Sequence, residues 1–118
     1  MRHEQSFLKD ILSACGRIVA IVTVTNEESF LEDEVLPAAV LHHLTVIGEA
    51  ISRLSVELRE RHAEVPWRQI IAVRHRIVHA YFDLDWQILW DAANGDIPEL
   101  RTQVLRILST EFPESESD

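Results

Sequence analysis

The sequence predicts an all-α protein, an antiparallel bundle of four to five helices. Three observations carry that prediction. Apolar residues recur at steps of three and four nearly throughout the 118 residues, the period of helices that bury one face. Glycine is scarce, with only Gly16, Gly48 and Gly95 to interrupt the pattern. No segment requires a strand. The length supports a single domain, residues 1–112, followed by an acidic tail at 113–118 that lacks apolar residues and is expected to be disordered.

The elements follow in order. Phe7, Ile11, Cys15, Ile18 and Val22 share one face of a first helix, roughly 2–23. Asn26, Glu27 and Glu28 break the pattern and suit a turn, and Ser29 to Leu36 reads as a short acidic helix. Pro37 then suits the first turn of a long helix to about Arg61, striped by Val40, Leu44, Ile47, Ile51, Leu54 and Leu58. Gly48 inside it either permits a close helix approach or is merely tolerated. Pro66 opens another helix, with Ile70, Ile71, Ile77 and Val78 as its core residues. Asp83 and Asp85 offer N-cap chemistry for a short helix carrying Trp86, Leu89 and Trp90, which Asn94-Gly95 ends. Asp96 and Pro98 start the last helix, with Leu100, Val104, Ile107 and Leu108 inward.

Charge and composition exclude several functions. Eleven Lys and Arg against 20 Asp and Glu give a net charge of −9, so bulk attraction to nucleic acid or an anionic membrane is not expected. Any nucleic-acid function must rest on a local site. One cysteine, Cys15, allows neither an internal disulfide nor a four-cysteine zinc site. The start lacks a signal-peptide pattern, and the longest apolar run, Ile18 to Val22, is far short of the roughly 20 residues of a membrane span. A cytoplasmic protein without membrane contact is expected. Glycine-rich phosphate loops are absent, and no cofactor is implied.

The informative window is Val65 to Phe82, which contains no Asp or Glu but holds Arg68, Arg74, His75, Arg76 and His79. In so acidic a chain this is a basic island. Arginine presents a planar fork of donors suited to phosphate oxygens, and histidine moves protons near neutral pH. Arginine, histidine and tyrosine together can bind a phosphodiester and help to cleave it. On a continuous helix Arg74 and Tyr81 share nearly one face, and His75 and His79 lie one turn apart. Arg74 and His79 stand about 140° apart. Their convergence requires a distorted helix end near His79 or a second copy of the chain. The plainer reading of an acid-free helix is a solvated or partner-facing surface.

The other candidates carry less. His42 and His43 fit surface or interface positions, and His62 falls in a loop. No histidine has a glutamate three residues before it, and His75 is followed by Arg76 where a zinc helix places Glu, so no metal site is expected. Glu32, Asp33 and Glu34 read as a solvated face, and Trp67, Trp86 and Trp90 as core or interface anchors. Ser13 and Cys15 have no sequence-adjacent base to activate them.

The stretch from Arg74 to Tyr81, RHRIVHAY, resembles the R-x4-6-H motif of HEPN ribonuclease domains, and the appended H-x-Y resembles the HepT (DUF86-type) branch. VIGEAISRL at Val46–Leu54 is similar to that family's "iGEA" helix, and VPWRQIIAVRHRIVHAYFDLDWQILW at Val65–Trp90 to its PW, H-x-Y and W block. The likeness runs from about Arg2 to Leu108. The residue after the motif arginine, commonly Asn in the family, is His75 here, which keeps a polar group and adds a titratable one. The resemblance implies a homodimeric helical bundle and metal-independent RNA cleavage by Arg74 and His79, as the toxin of a type VII-like toxin–antitoxin pair. Arg68, His75 and Arg76 are then candidates for binding RNA phosphate. It also implies an MntA-like nucleotidyltransferase antitoxin that joins the toxin in a larger hetero-oligomer and transfers AMP to Tyr81. The alternative is a non-catalytic helical module that binds and regulates a nucleotidyltransferase. Salt-sensitive RNA binding separates the two.

Overall fold

A computed structural model describes residues 3–80 and 83–113, with the side chains of His79, Ala80 and Asp83 outside the description. The fold is all-α, as expected. Among the described residues the chain forms α1 (Glu4–Thr23), α2 (Glu27–Glu32), α3 (Leu36–Ser52), α4 (Val56–Arg61), α5 (Trp67–Ile77), α6 (Trp86–Asn94) and α7 (Asp96–Glu111). A minimal ribbon, β1 (Val78–Ala80) with β2 (Asp83–Leu84), interrupts the helices between α5 and α6. Five longer helices match the expected number. The short acidic helix expected at Ser29–Leu36 is α2, which begins earlier and takes in Glu27 and Glu28, and α4 is the end of the expected long helix, split off.

Helix α1 packs chiefly against α3 and α7, while α5 leans on α3 and α6. The core face of α1 is Leu8, Ile11, Ala14, Cys15, Ile18 and Val22. Leu8 is buried where the sequence pattern points to Phe7, which packs at the rim of the core. Asn26 is not part of a free turn. Its Oδ1 accepts the Ser29 N–H at 2.9 Å and caps α2, whose Phe30 is fully buried against Trp90. Asp33 likewise accepts the N–H groups of Val35 and Leu36 at the start of α3, and these hydrogen bonds hold its carboxyl below the usual range.

The long helix expected from Pro37 to Arg61 is broken in two. The Ser55 side chain accepts the Leu58 N–H at 3.0 Å and starts α4 afresh. The Ser55 N–H donates at 2.6 Å to Glu4 at the head of α1. A serine with both groups engaged this way favours a new helix start over helix continuation. The apolar stripe survives because the three-residue break keeps its phase, and Leu54 and Leu58 remain buried. A Cβ on Gly48 would meet nothing within 4 Å, so this glycine does not serve a close helix contact within the chain.

Helix α5 buries Trp67, Ile70, Val73 and Ile77, with Ile71 and Val78 at the core edge. It stops at Ile77. Val78 is extended, and its N–H still reaches the Arg74 carbonyl. The Ile77 carbonyl accepts the Asp85 N–H at 2.8 Å. Asp85 in turn caps α6 through the Ile88 N–H at 3.1 Å. Asp83 is therefore a strand residue, not a cap. Val78 pairs with Leu84 and Ala80 with Asp83, in an irregular antiparallel register. Gly95 closes α6, and α7 buries Ile97 together with the expected Leu100, Val104, Ile107 and Leu108. Residues 114–118 of the acidic tail lie outside the described residues. No helix among the described residues is long and apolar enough to cross a membrane.

Candidate functional site

The site builds on the C-terminal end of α5. Buried Ile70, Val73 and Ile77 hold that helix on the core, which turns Arg68, Arg74, His75 and Arg76 out to solvent. Arg74, His75 and Arg76 occupy the last turn, where cations complement the negative end of the helix dipole. Part of the basic island is thus explained by helix stability alone.

The arginines differ in how they are held. Arg74 Nε donates to Thr45 Oγ1 on α3 at 3.1 Å. Thr45 Oγ1 in turn donates to the Leu41 carbonyl at 2.9 Å, so the hydroxyl that receives Arg74 is itself fixed. This arrangement orients the guanidinium by its Nε and leaves the two terminal nitrogens without a partner among the described side chains. Arg68 and Arg76 form no ion pair among those side chains either. Phosphate recognition asks for a fork that is positioned but not neutralised, and Arg74 meets that requirement.

Arg74, His75 and Ile71 line a groove of about 280 Å³ whose opposite wall is Thr45, Gly48 and Glu49 of α3. Gly48 therefore keeps open space beside Arg74. Glu49 is half of an exposed ion pair with Arg53 at 3.8 Å, so its charge is directed along α3. Thr45 does not stand out in the sequence. A lone threonine on a helix gives no signal of a partner 29 positions away.

The expected helix geometry is corrected at its end. The helix stops two residues before His79, which lies in β1. The one-turn stacking of His75 over His79, and the shared face of Arg74 and Tyr81, both require a helix that continues. The unwinding at Val78 supplies, in the backbone, the distorted helix end that convergence of Arg74 and His79 requires. The His79 side chain and all of Tyr81 lie outside the described residues.

The remaining candidates fall into structural roles. Trp67 is buried, and its Nε1 donates to the carbonyls of Arg59 and His62, tying the start of α5 to α4. Trp86 and Trp90 pack at the core edge. His62 hydrogen-bonds Glu111, which also receives Arg61. His42 and His43 stack edge to face, 5.2 Å apart. Burial first, then the positive neighbourhood of His42 and Arg17, lowers the His43 pKa. Burial pushes the Cys15 thiol up to about 12, leaving it protonated and unreactive.

The all-α bundle is HEPN-like, with Arg74 in the last turn of α5 and His79 five positions further on. Comparison with known proteins identifies the branch. The family described as "Ribonuclease HepT-like" matches residues 11–107. The chain is 37% identical to "Putative RNase TTE0752" of Caldanaerobacter subterraneus subsp. tengcongensis, over 94% of this chain and 99% of that protein. It is 34% identical to "Probable ribonuclease HepT" of Thermococcus cleftensis, over 85% of this chain and 91% of that protein. It is 30% identical to "Putative RNase MJ0125" of Methanocaldococcus jannaschii, over 91% and 92% respectively. No solved structure matches. The chain belongs to the HepT-like ribonuclease family.

Proposed function

We propose that this chain is the toxin of a type VII-like toxin–antitoxin pair, an RNA endonuclease that needs no metal. The observation that carries this reading is the state of Arg74: exposed, anchored through Nε to Thr45, and unneutralised in a chain of net charge −9. In the proposed reaction a ribose 2′-OH attacks the adjacent phosphorus and the P–O5′ bond breaks. His79 takes the 2′-OH proton or delivers one to the departing 5′ oxygen. Arg74 stabilises the charge that gathers on the phosphorane oxygens. The products are a 2′,3′-cyclic phosphate and a 5′-OH. DNA, without the 2′-OH, is spared.

The partners in this reading are a second copy of the chain, which sets two motifs beside one cleft, and an MntA-like nucleotidyltransferase. The transferase joins AMP from ATP to the Tyr81 oxygen and releases pyrophosphate. The added phosphodiester brings a negative charge that can pair with arginine and repel substrate phosphate, and the adenosine adds bulk. The same chain without catalysis, serving only as a transferase-binding module, is the competing reading.

The test is cleavage of RNA by purified, unmodified chain. Arg74→Ala and His79→Ala should each lower the rate by about 10²-fold or more while helicity is unchanged. Full activity in either variant sinks the assignment, and an inactive wild type favours the binding module. Tyr81→Phe should cleave normally and resist silencing by the transferase. AMP found by mass spectrometry on another residue of the wild type would contradict the role of Tyr81.

A further inference from the structure

A second groove lies at the opposite end of α5. It has a volume of about 560 Å³, larger than the 280 Å³ groove beside Arg74. Its apolar wall is Val56, Pro66 and Trp67, and Val56 is 55% exposed. Its charged lining is Arg59, Glu60 and Arg68, a net positive set in a chain of net charge −9. By contrast, the groove between α1 and α3 is lined by Asp10, Glu49 and Arg53.

Three details separate this groove from an ordinary surface depression. Arg59 Nε is buried and has no hydrogen-bond partner among the described residues. A buried donor left unpaired is costly, so the Arg59 side chain gains if it turns toward an acceptor held in the groove it lines. Arg68 is exposed and forms no ion pair among the described side chains. The indole of Trp67 is locked by its two carbonyl partners, so the apolar wall is rigid.

The groove also connects with the motif. Arg68, Ile71 and His75 fall at i, i+3 and i+7 of α5, one stripe along the helix. His75 and Ile71 line the groove beside Arg74, and Arg68 lines the second one. A strand laid along this stripe would meet both, separated by roughly 10 Å of helix rise.

We infer that the α4–α5 groove is a second RNA subsite, in which Arg59 and Arg68 hold a backbone phosphate of the same strand whose scissile phosphate lies at Arg74, with a base against Val56 and Pro66. The inference rests on the ribonuclease reading. Charge favours a polyanion here, and the exposed apolar wall gives a base a face to bury, in place of the aromatic stacking platform common in single-strand sites.

The experiment uses the full chain and a fluorescent, single-stranded 2′-O-methyl oligonucleotide, which lacks the attacking hydroxyl and stays intact. Binding is followed by anisotropy across a salt series. Arg68→Ala and Arg59→Gln should each weaken binding about three- to tenfold and flatten the log–log salt slope by about 0.7 for each phosphate no longer neutralised. Arg68 is exposed, so its variant retains the fold, which circular dichroism checks. Wild-type affinity and slope in both variants would overturn the subsite, and cleavage of ordinary RNA by the wild type would show that the nuclease reading still stands. A wild type that neither binds nor cleaves RNA overturns both. Loss of complex formation with a co-expressed nucleotidyltransferase, with RNA binding unchanged, would reassign the groove to the protein partner.

Discussion

The C-terminal ends of α4 and α5 use the same residue types in opposite ways. At the end of α4, Arg61 makes a two-pronged contact to Glu111 on α7, at 2.7 Å and 3.3 Å, and His62 hydrogen-bonds the same carboxylate. There an arginine and a histidine are consumed in tying α4 to the end of the chain's last helix. At the end of α5, Arg74 and His75 are exposed, and the one bond Arg74 makes among the described side chains is to the neutral Thr45 hydroxyl. An ion pair neutralises the guanidinium, whereas a hydroxyl only aims it. The excess of acids in this chain is therefore compatible with phosphate chemistry, because the acids are kept out of 65–82 and used elsewhere.

Swapping the two readouts is the sharpest way to break this contrast. Arg74→Ala should cut RNA cleavage by about 10²-fold or more and leave the melting temperature within a degree or two. Arg61→Ala should do the reverse, lowering the melting temperature by a few degrees with cleavage retained below the transition. A stability loss in Arg74→Ala equal to that in Arg61→Ala would make both arginines structural and remove the contrast.

The next effect is smaller and concerns positioning. Thr45→Val removes the hydroxyl but keeps the β-branched shape, so α3 should remain intact. The Arg74 fork would then lose its anchor, and kcat should fall by about three- to tenfold with KM little changed, since phosphate can still bind a mobile guanidinium. Thr45→Ser restores the hydroxyl and should recover most of the rate. An unchanged kcat in Thr45→Val would mean that Arg74 is aimed by something other than Thr45.

Much of this contrast is legible in the sequence, and the exceptions have physical causes. The apolar stripe from Val40 to Leu58 marks the core correctly even though the helix breaks at Arg53–Ser55, since the break preserves the phase. Leu8 displaces Phe7 because adjacent apolar residues fit the same periodicity, and only the docking of α1 between α3 and α7 decides which one is buried. The end of α5 is hidden for a related reason. Ile77 and Val78 continue a helical pattern, and the signal that ends it is a tertiary one, the Asp85 N–H on the Ile77 carbonyl. Arg74 is visible by its acid-free setting, but its Thr45 anchor is a contact between segments 29 positions apart, and the second groove depends on how the chain turns between α4 and α5, which the residue pattern does not mark.

The smallest expected effect tests the clamp itself, through pH. The Arg61 hydrogen bond, and after it that from His62, hold the Glu111 carboxyl below the usual range against the opposing effect of burial. A carboxyl whose pKa is depressed by folding binds its proton more readily in the unfolded chain. Its stabilisation is therefore fully present above the unfolded value, about 4.3, and is lost as pH falls through the folded value. Glu111 is 22% exposed and Arg61 51%, so solvent screening limits the contribution to on the order of 1 kcal/mol. Glu111→Gln should lower the melting temperature by a few degrees at pH 7, and the gap to wild type should close as the pH drops below about 4. A gap that is equal at pH 3 and pH 7 would show that Glu111 acts by packing rather than by charge, and the clamp would no longer explain why Arg61 differs from Arg74.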